Sequence, residues 1–160
     1  MRDRVTNVVI AGLGGQGVLK ASDILADAVF RAGHDVKKAE VHGMSQRGGS
    51  VNTDIRYGRK VYSPMISRGE ADFLVVLAAD QLEHNRSYLR PGGVLVEPGM
   101  VDASRLANKR SINVALLGLL SRRLDLPESC WLEALAANLP AALLEANREA
   151  FELGRSGAHG

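Results

Sequence analysis

Two glycine-bearing segments hold the residues best suited to chemistry. The first is Gly12-Leu13-Gly14-Gly15-Gln16-Gly17, which follows the apolar run Asn7 to Ala11 and precedes an amphipathic stretch. Its G-x-G-x-x-G spacing between a strand and a helix matches the dinucleotide fingerprint. Glycines there let the backbone turn sharply and approach an anion. The helix N-terminus adds unpaired N–H groups and the positive end of the helix dipole. Glu40 stands 23 residues past Gly17, where an acidic side chain can take a ribose hydroxyl. The alternative is that the glycines only permit a tight strand–helix turn.

The second segment is His42-Gly43-Met44-Ser45-Gln46-Arg47-Gly48-Gly49-Ser50. Gly43, Gly48 and Gly49 free it to adopt positive φ. Arg47 presents a planar guanidinium suited to phosphate or carboxylate, and Ser45 and Gln46 add neutral hydrogen-bonding groups. A loop at the carboxyl end of a strand sits where open α/β sheets bind ligands. The alternative is that Arg47 pairs with an acidic residue and merely orders the loop. Two features weigh against a dinucleotide: Gln16 makes the first turn polar at its tip, and this long loop follows Glu40 directly.

Other chemistry is poorly supported. His34, His42, His84 and His159 have no metal-ligand spacing, and His42 beside Glu40 is a weak acid–base pair. Ser45 and Ser50 lack a strand–nucleophile–helix elbow. Asp80 and Glu83 read as helix cap and first-turn residues. Cys130 is the only cysteine, which excludes an intrachain disulfide, a four-cysteine iron–sulfur cluster and a cysteine zinc site. It reads as a small buried apolar residue beside Trp131.

The elements that position these segments follow from periodicity. Val8 to Ala11 is a strand buried on both faces. A helix over about Gln16 to Ala32 repeats Val18, Ala21, Leu25, Ala28, Val29 and Ala32 at helical spacing, with Gly33 as its C-terminal cap. Val36 to Val41 is the next strand, so the opening is a right-handed β-α-β unit. Val51, Thr53, Ile55 and Tyr57 alternate with polar residues in a half-buried strand, and Gly58-Arg59 turns it into a hairpin with Lys60 to Ser63. Ala71 to Ala78 is a buried strand, and Asp80 caps a helix over about Gln81 to Leu89. Pro91-Gly92-Gly93 is a turn before a strand at Val94 to Glu97. Beyond Ser111 the chain is helical: Ile112 to Leu124, then helices opened by Pro127 and Pro140, the last ending near Leu153 and Gly154. The apolar C-terminal helices are core or a subunit face, and Leu135, Leu139, Leu143 and Leu144 read as core in preference to a subunit face.

The 160 residues suit one domain over 1–154, with 155–160 as a disordered tail. The fold class is α/β: a three-layer, Rossmann-like, mostly parallel sheet with an antiparallel hairpin and a C-terminal helical flank. Apolar content of 46% and charged content of 24% are those of a soluble globular protein. A net charge of +2 is too weak to argue for nucleic acid, and few aromatics disfavour single-strand stacking. Residues 37–68 are locally basic, which suits an anionic ligand, an acidic partner or simply a solvated face. No signal pattern and no apolar run of about 18 residues is present, so a cytoplasmic protein without membrane contact is expected.

Four motifs carry a family resemblance. Ala11 to Val18, Glu40 to Val51, Tyr62-Ser63-Pro64 and Gly69-Glu70-Ala71-Asp72 resemble the gamma subunit or domain of 2-oxoacid:ferredoxin oxidoreductases. The His42 to Gly49 form is most similar to the small subunit of the indolepyruvate type, and Pro140 to Phe151 resembles that family's end. The resemblance spans about residues 5–154.

It implies a reaction in which 2-oxoacid, coenzyme A and oxidised ferredoxin give acyl-CoA, carbon dioxide and reduced ferredoxin. It places thiamine diphosphate and iron–sulfur clusters on larger partner subunits, with ferredoxin reached through the complex. No cofactor is then held tightly by this chain, which by itself is expected to be inactive. Coenzyme A at the subunit interface and a homodimer of the isolated chain are further expectations. Gly12, Gly14, Gly15, Gln16, Gly17, His42, Gly43, Met44, Gln46, Arg47, Gly48 and Gly49 become one composite surface, facing an anion such as coenzyme A or a partner. A stand-alone NAD(P)- or flavin-binding Rossmann protein and a ligand-free scaffold are the rival readings. The chain departs from the family in one place: Pro98 to Ser111 is short, with Val101 and Asp102 as the remnant of a strand.

Overall fold

The computed structural model describes residues 4–42 and 49–157, with His42 described by its backbone alone. Its axis is β1 (Thr6–Leu13), in which Val8, Val9, Ile10 and Ala11 are fully buried. Val8 and Ile10 enter one apolar cluster and Val9 and Ala11 another, as alternation along a strand covered on both faces requires. After β1 come α1 (Val18–Arg31), β2 (Asp35–His42), β3 (Ser50–Gly58), β4 (Ala71–Val76), α2 (Leu82–Asn85) and β5 (Leu89–Val96). Three helices close the chain: α3 (Ile112–Ser121), α4 (Glu128–Asn138) and α5 (Ala141–Arg155). α1 ends as its glycine predicts. Gly33 takes φ +95°, and His34 N–H donates to Val29 O at 3.1 Å.

The strand order is β2-β3-β1-β4-β5. β1, β4 and β5 pair in parallel, while β3 runs antiparallel to both β1 and β2. Four strands therefore share one direction and the α/β class stands. β1, α1 and β2 form the expected β-α-β unit, but its two strands are not neighbours, because β3 is inserted between them. The antiparallel hairpin is β2–β3, not Ser50–Ser63 as its sequence pattern predicts. Lys60 to Ser63 forms no strand.

The physical reason lies on the polar face of β3. Asn52 Nδ2 donates to Asn85 Oδ1 at 2.7 Å, Asp54 Oδ2 accepts from Ile66 N–H at 3.0 Å, and Arg56 Nη1 donates to Ser63 O at 2.8 Å. From the β2 side, Asp35 Oδ2 accepts from Val61 N–H at 2.8 Å. Side chains thus anchor segment 59–66 where a β ladder was expected. Alternation of polar and apolar residues looked like a strand with one wet face. Here the polar face is covered by a segment held through hydrogen bonds to it.

The layers are unequal. α1 and α3 rest on one face with α4 against α1 and α5 against α3, around fully buried Trp131 and Phe151, whose rings lie 5.6 Å apart. Among the described residues, Ile66, Leu82 and Tyr88 with their neighbours pack on the other face. Cys130 is buried next to Trp131, as expected. Leu135 is core and Leu139 and Leu144 are partly buried, but Leu143 is 46% exposed and corrects that reading. Asp80 caps nothing: it lies in a 3-10 turn, and Gln81, not Asp80, precedes α2. Pro91-Gly92-Gly93 lies inside β5 at a bulge opposite Ala71 and Phe73. Val101 and Asp102 form no strand; three short 3-10 turns link β5 to α3. α5 extends to Arg155, and residues 158–160 of the expected tail lie outside the described residues.

Asp54 gives a pH prediction. Burial raises its carboxyl above the ordinary value, against a smaller lowering by Ile66 N–H. A carboxyl that binds its proton more tightly when folded loses stability as pH rises from its unfolded value of about 4 to its folded value. Asp54→Asn removes that titration. Its stability relative to wild type should therefore improve between pH 4 and pH 7 in urea denaturation. A constant difference over that range would refute the assignment.

Candidate functional site

At the carboxyl end of β1 the chain makes the turn that its glycines announced. Gly12 is buried: a Cβ there would lie 2.8 Å from Val18 Cγ2 and 3.1 Å from Leu77 Cβ. Gly15 and Gly17 take φ of +86° and +85°, which side-chain-bearing residues rarely adopt. Gly17 is the N-cap of α1 and its carbonyl accepts from Ala21 N–H at 2.9 Å. Gly14 and Gly15 are exposed, and the first-turn amides of α1 face the same end of the sheet.

Gln16 does not decorate the tip. Its Oε1 folds back and accepts from Leu13 N–H at 2.7 Å, while Gln16 N–H donates to Leu13 O at 3.1 Å. The side chain therefore braces the turn from inside.

The two glycine segments do meet. Gly14 N–H donates to Gly49 O at 2.9 Å, and the β1–β3 register brings Leu13 opposite Ser50. Their adjacency arises because the second loop returns into β3, which pairs with β1. Two neighbouring parallel strands would have produced it by a different route. Gly43, Met44, Ser45, Gln46, Arg47 and Gly48 lie outside the described residues; His42 is placed through its backbone, opposite Val51 in the β2–β3 ladder.

Glu40 sits badly for a ribose. It pairs with Thr53 of β3, which in turn pairs with Ile10 of β1. Two strand spacings, about 10 Å, therefore separate it from β1. Lys38 Nζ stands 3.9 Å from its carboxylate. The basic stretch is likewise dispersed. Lys38 pairs with Asp23, Lys37 lies 3.8 Å from Asp35, Arg56 binds Ser63 O, and Arg68 stacks 4.7 Å from the Tyr88 ring.

Residues the sequence reading passed over complete the site. Asn113 at the start of α3 is buried beneath Gly17, and its Nδ2 donates to Gly17 O at 3.2 Å. Its signal was available as a lone amide opening the apolar run Val114 to Leu120. Leu77 N–H donates to Ala11 O at 2.8 Å and brings the end of β4 against the turn. Gln81 is buried nearby and its carbonyl oxygen accepts from Asn85 Nδ2 at 2.7 Å. The turn lies where the strand order switches direction between β1 and β4, which is where open α/β sheets form ligand crevices. No group of three metal-ligating side chains occurs among the described residues, and no helix there is long and apolar enough to cross a membrane.

Comparison with known proteins agrees with this geometry. Residues 7–157 match the family model for pyruvate ferredoxin/flavodoxin oxidoreductase. The chain is 35% identical to indolepyruvate oxidoreductase subunit IorB of Thermococcus kodakarensis over 190 aligned positions, covering 92% of this chain and 93% of the relative. It is 30% identical to the pyruvate/ketoisovalerate oxidoreductases common subunit gamma of the same organism, covering 93% and 86%. Its fold is that of the keto/oxoacid ferredoxin oxidoreductase gamma subunit from Geobacter sulfurreducens, with a TM-score of 0.80 at 20% identity over 97% of both chains. It also superimposes on 31% of a 2-oxoglutarate:ferredoxin oxidoreductase chain from Magnetococcus marinus, with a TM-score of 0.84 at 23% identity over 98% of this chain. A family match along nearly the whole chain, on a sheet whose glycine turn is hydrogen-bonded to the return of its second loop, places it: the chain belongs to the pyruvate ferredoxin/flavodoxin oxidoreductase family.

Proposed function

We propose that this chain is the accessory, gamma-type subunit of a 2-oxoacid:ferredoxin oxidoreductase, acting as a single domain within a hetero-oligomer. The observation that carries the reading is end-to-end similarity to a small indolepyruvate oxidoreductase subunit, at 92% and 93% coverage. The donor set supports a division of labour. One cysteine cannot ligate a four-cysteine cluster, which supports a reading in which the iron–sulfur centres sit on larger partners. Thiamine diphosphate would supply the carbanion chemistry and iron–sulfur clusters the electron path to ferredoxin, both on those partners. The chain's own work is to bind and orient.

The glycine turn fits an anion such as coenzyme A. A Cβ on Gly15 would meet no described atom within 4 Å, so the backbone there is open to close approach. The α1 N-terminus supplies donors and a favourable dipole, and Arg47 on the neighbouring loop adds charge. A dinucleotide reading is weaker, because β3 separates Glu40 from β1 and the Gly14–Gly49 bond occupies one backbone donor of the turn.

The experiment is calorimetric titration of coenzyme A into the assembled complex. Arg47→Ala should weaken binding at least tenfold, about 1.4 kcal/mol. Equal affinity would remove the coenzyme A role. The isolated chain should show no 2-oxoacid-dependent ferredoxin reduction, and activity of that chain alone would overturn the accessory reading.

A further inference from the structure

The two faces of β2 and β3 are dressed differently. Val51, Ile55 and Tyr57 join the apolar cluster under α1. Alternation turns Asn52, Asp54 and Arg56 to the opposite face, and the β2–β3 register puts their partners Val41, Ala39 and Lys37 there too. Segment 59–66 lies on that face, pinned by the bonds to Asp35, Asp54 and Arg56 described above. Val61 and Ile66 are buried in it. Between them Tyr62 is 85% exposed and Met65 58% exposed, and Val41 on the same face of the edge strand is 46% exposed. Residues 55–69 contain Arg56, Arg59, Lys60 and Arg68 and no acidic residue. Two carboxylates reach the segment, and both are engaged: Asp54 with Ile66 N–H, and Asp35 with Val61 N–H and the charges of Lys37 and Lys60. Arg56 donates to Asn7 Oδ1 and Ser63 O, and Arg68 donates to Ser87 Oγ while stacking on Tyr88, all neutral groups. Glu70 follows the stretch as one exposed carboxylate against these cations.

Resting on the gamma-subunit reading above, we propose that the strip from Arg59 to Arg68 docks an acidic face of the larger subunit. Tyr62 and Met65 enter an apolar recess in that face, and carboxylates around the recess meet Lys60 and Arg68. Lys60 Nζ lies 5.8 Å from the Tyr62 ring centroid, so charge and aromatic group enter one contact. The strip carries charge of one sign, and an acidic surface is what complements it. Its apolar groups are held outward by hydrogen bonds on either side of them, so docking costs little ordering entropy. Tyrosine, methionine and arginine are also the residue types that protein interfaces enrich. A phosphate backbone would be satisfied by the cations alone and would leave Met65 and Val41 without a role. Symmetry disfavours a second copy. A two-fold contact sets the strip against itself in any register and brings like charges together.

Hydroxyl-radical footprinting of the free chain and of the co-expressed complex tests the contact, because tyrosine and methionine side chains both report. Oxidation at Tyr62 and Met65 should slow at least tenfold on assembly. Tyr62→Ala and Lys60→Glu should each weaken the complex at least tenfold by surface plasmon resonance. Lys60→Glu should act mainly by slowing association, and it should flatten the salt dependence of binding. Circular dichroism of the isolated variants should show the wild-type melting temperature, since both side chains are exposed. If a complex forms but Tyr62 and Met65 oxidise equally fast free and bound, the docking surface lies elsewhere, and the gamma-subunit reading survives. If no larger subunit binds under any condition, both fail. Protection of the two side chains by concentration-dependent self-association, or by duplex DNA and not by the larger subunit, would assign the strip to another occupant and overturn the proposal.

Discussion

Gly118→Ala is expected to lower the melting temperature of the isolated chain by more than 6 °C, although alanine is the better helix former. In an open helix the change should stabilise by about 1 kcal/mol. Here the new Cβ would sit 2.9 Å from Arg155 N and from the Phe151 carbonyl carbon, and closer still to the Phe151 oxygen. The obstacle is backbone, which cannot rotate away as a side chain can. Gly154 mirrors it on α5, where a Cβ would lie 2.8 Å from the Ala115 carbonyl carbon and 2.9 Å from Leu119 N. α3 and α5 therefore cross at glycines, closer than side chains allow. Separating them also loosens the packing of Trp131 on Phe151. A loss of about 3 kcal/mol corresponds to roughly 6–12 °C for a domain of this size. Thermal unfolding followed by circular dichroism decides it, and a raised melting temperature would mean that the helices do not touch here.

The second large effect is Gly17→Ala, with Gly15→Ala as its control. Both glycines hold nearly the same positive φ, so alanine brings about 1–2 kcal/mol of backbone strain at either place. The surroundings differ. At Gly15 the added methyl meets no described atom, whereas at Gly17 it runs into the Asn113 carboxamide. Gly17→Ala should therefore destabilise by about 3 kcal/mol and Gly15→Ala by about 1. Shortening Asn113 to glycine in the Gly17→Ala background should recover part of the difference, as expected for contacting residues. In the assembled complex Gly17→Ala should also weaken coenzyme A at least tenfold, since it shifts the first-turn amides of α1. Equal losses at the two glycines in urea denaturation would show that Asn113 does not seat the turn.

Local signals carried much of this structure. The β1–turn–α1 unit, the Gly33 cap and the prolines opening α4 and α5 were all legible, because each depends on neighbours within one turn of chain. The site was half legible: its glycines and loop were readable, but Asn113, Leu77 and the Gly14–Gly49 bond come from residues far apart in sequence. Gln16 was read at the right place with the wrong task, because no pattern tells whether an amide points to a ligand or back to its own turn.

What residue order alone determined is the class and the family: buried β1, a glycine turn at a helix start, and four motifs in sequence. What only the tertiary structure decided is which strand lies beside β1. Pairing partners are chosen by burial on both faces at once, and alternation reports one face. The Asn52–Asn85, Asp54–Ile66 and Arg56–Ser63 bonds let β3 bury a polar face in the middle of the sheet. That insertion moves Glu40 out of reach of the turn and hydrogen-bonds Gly49 to Gly14.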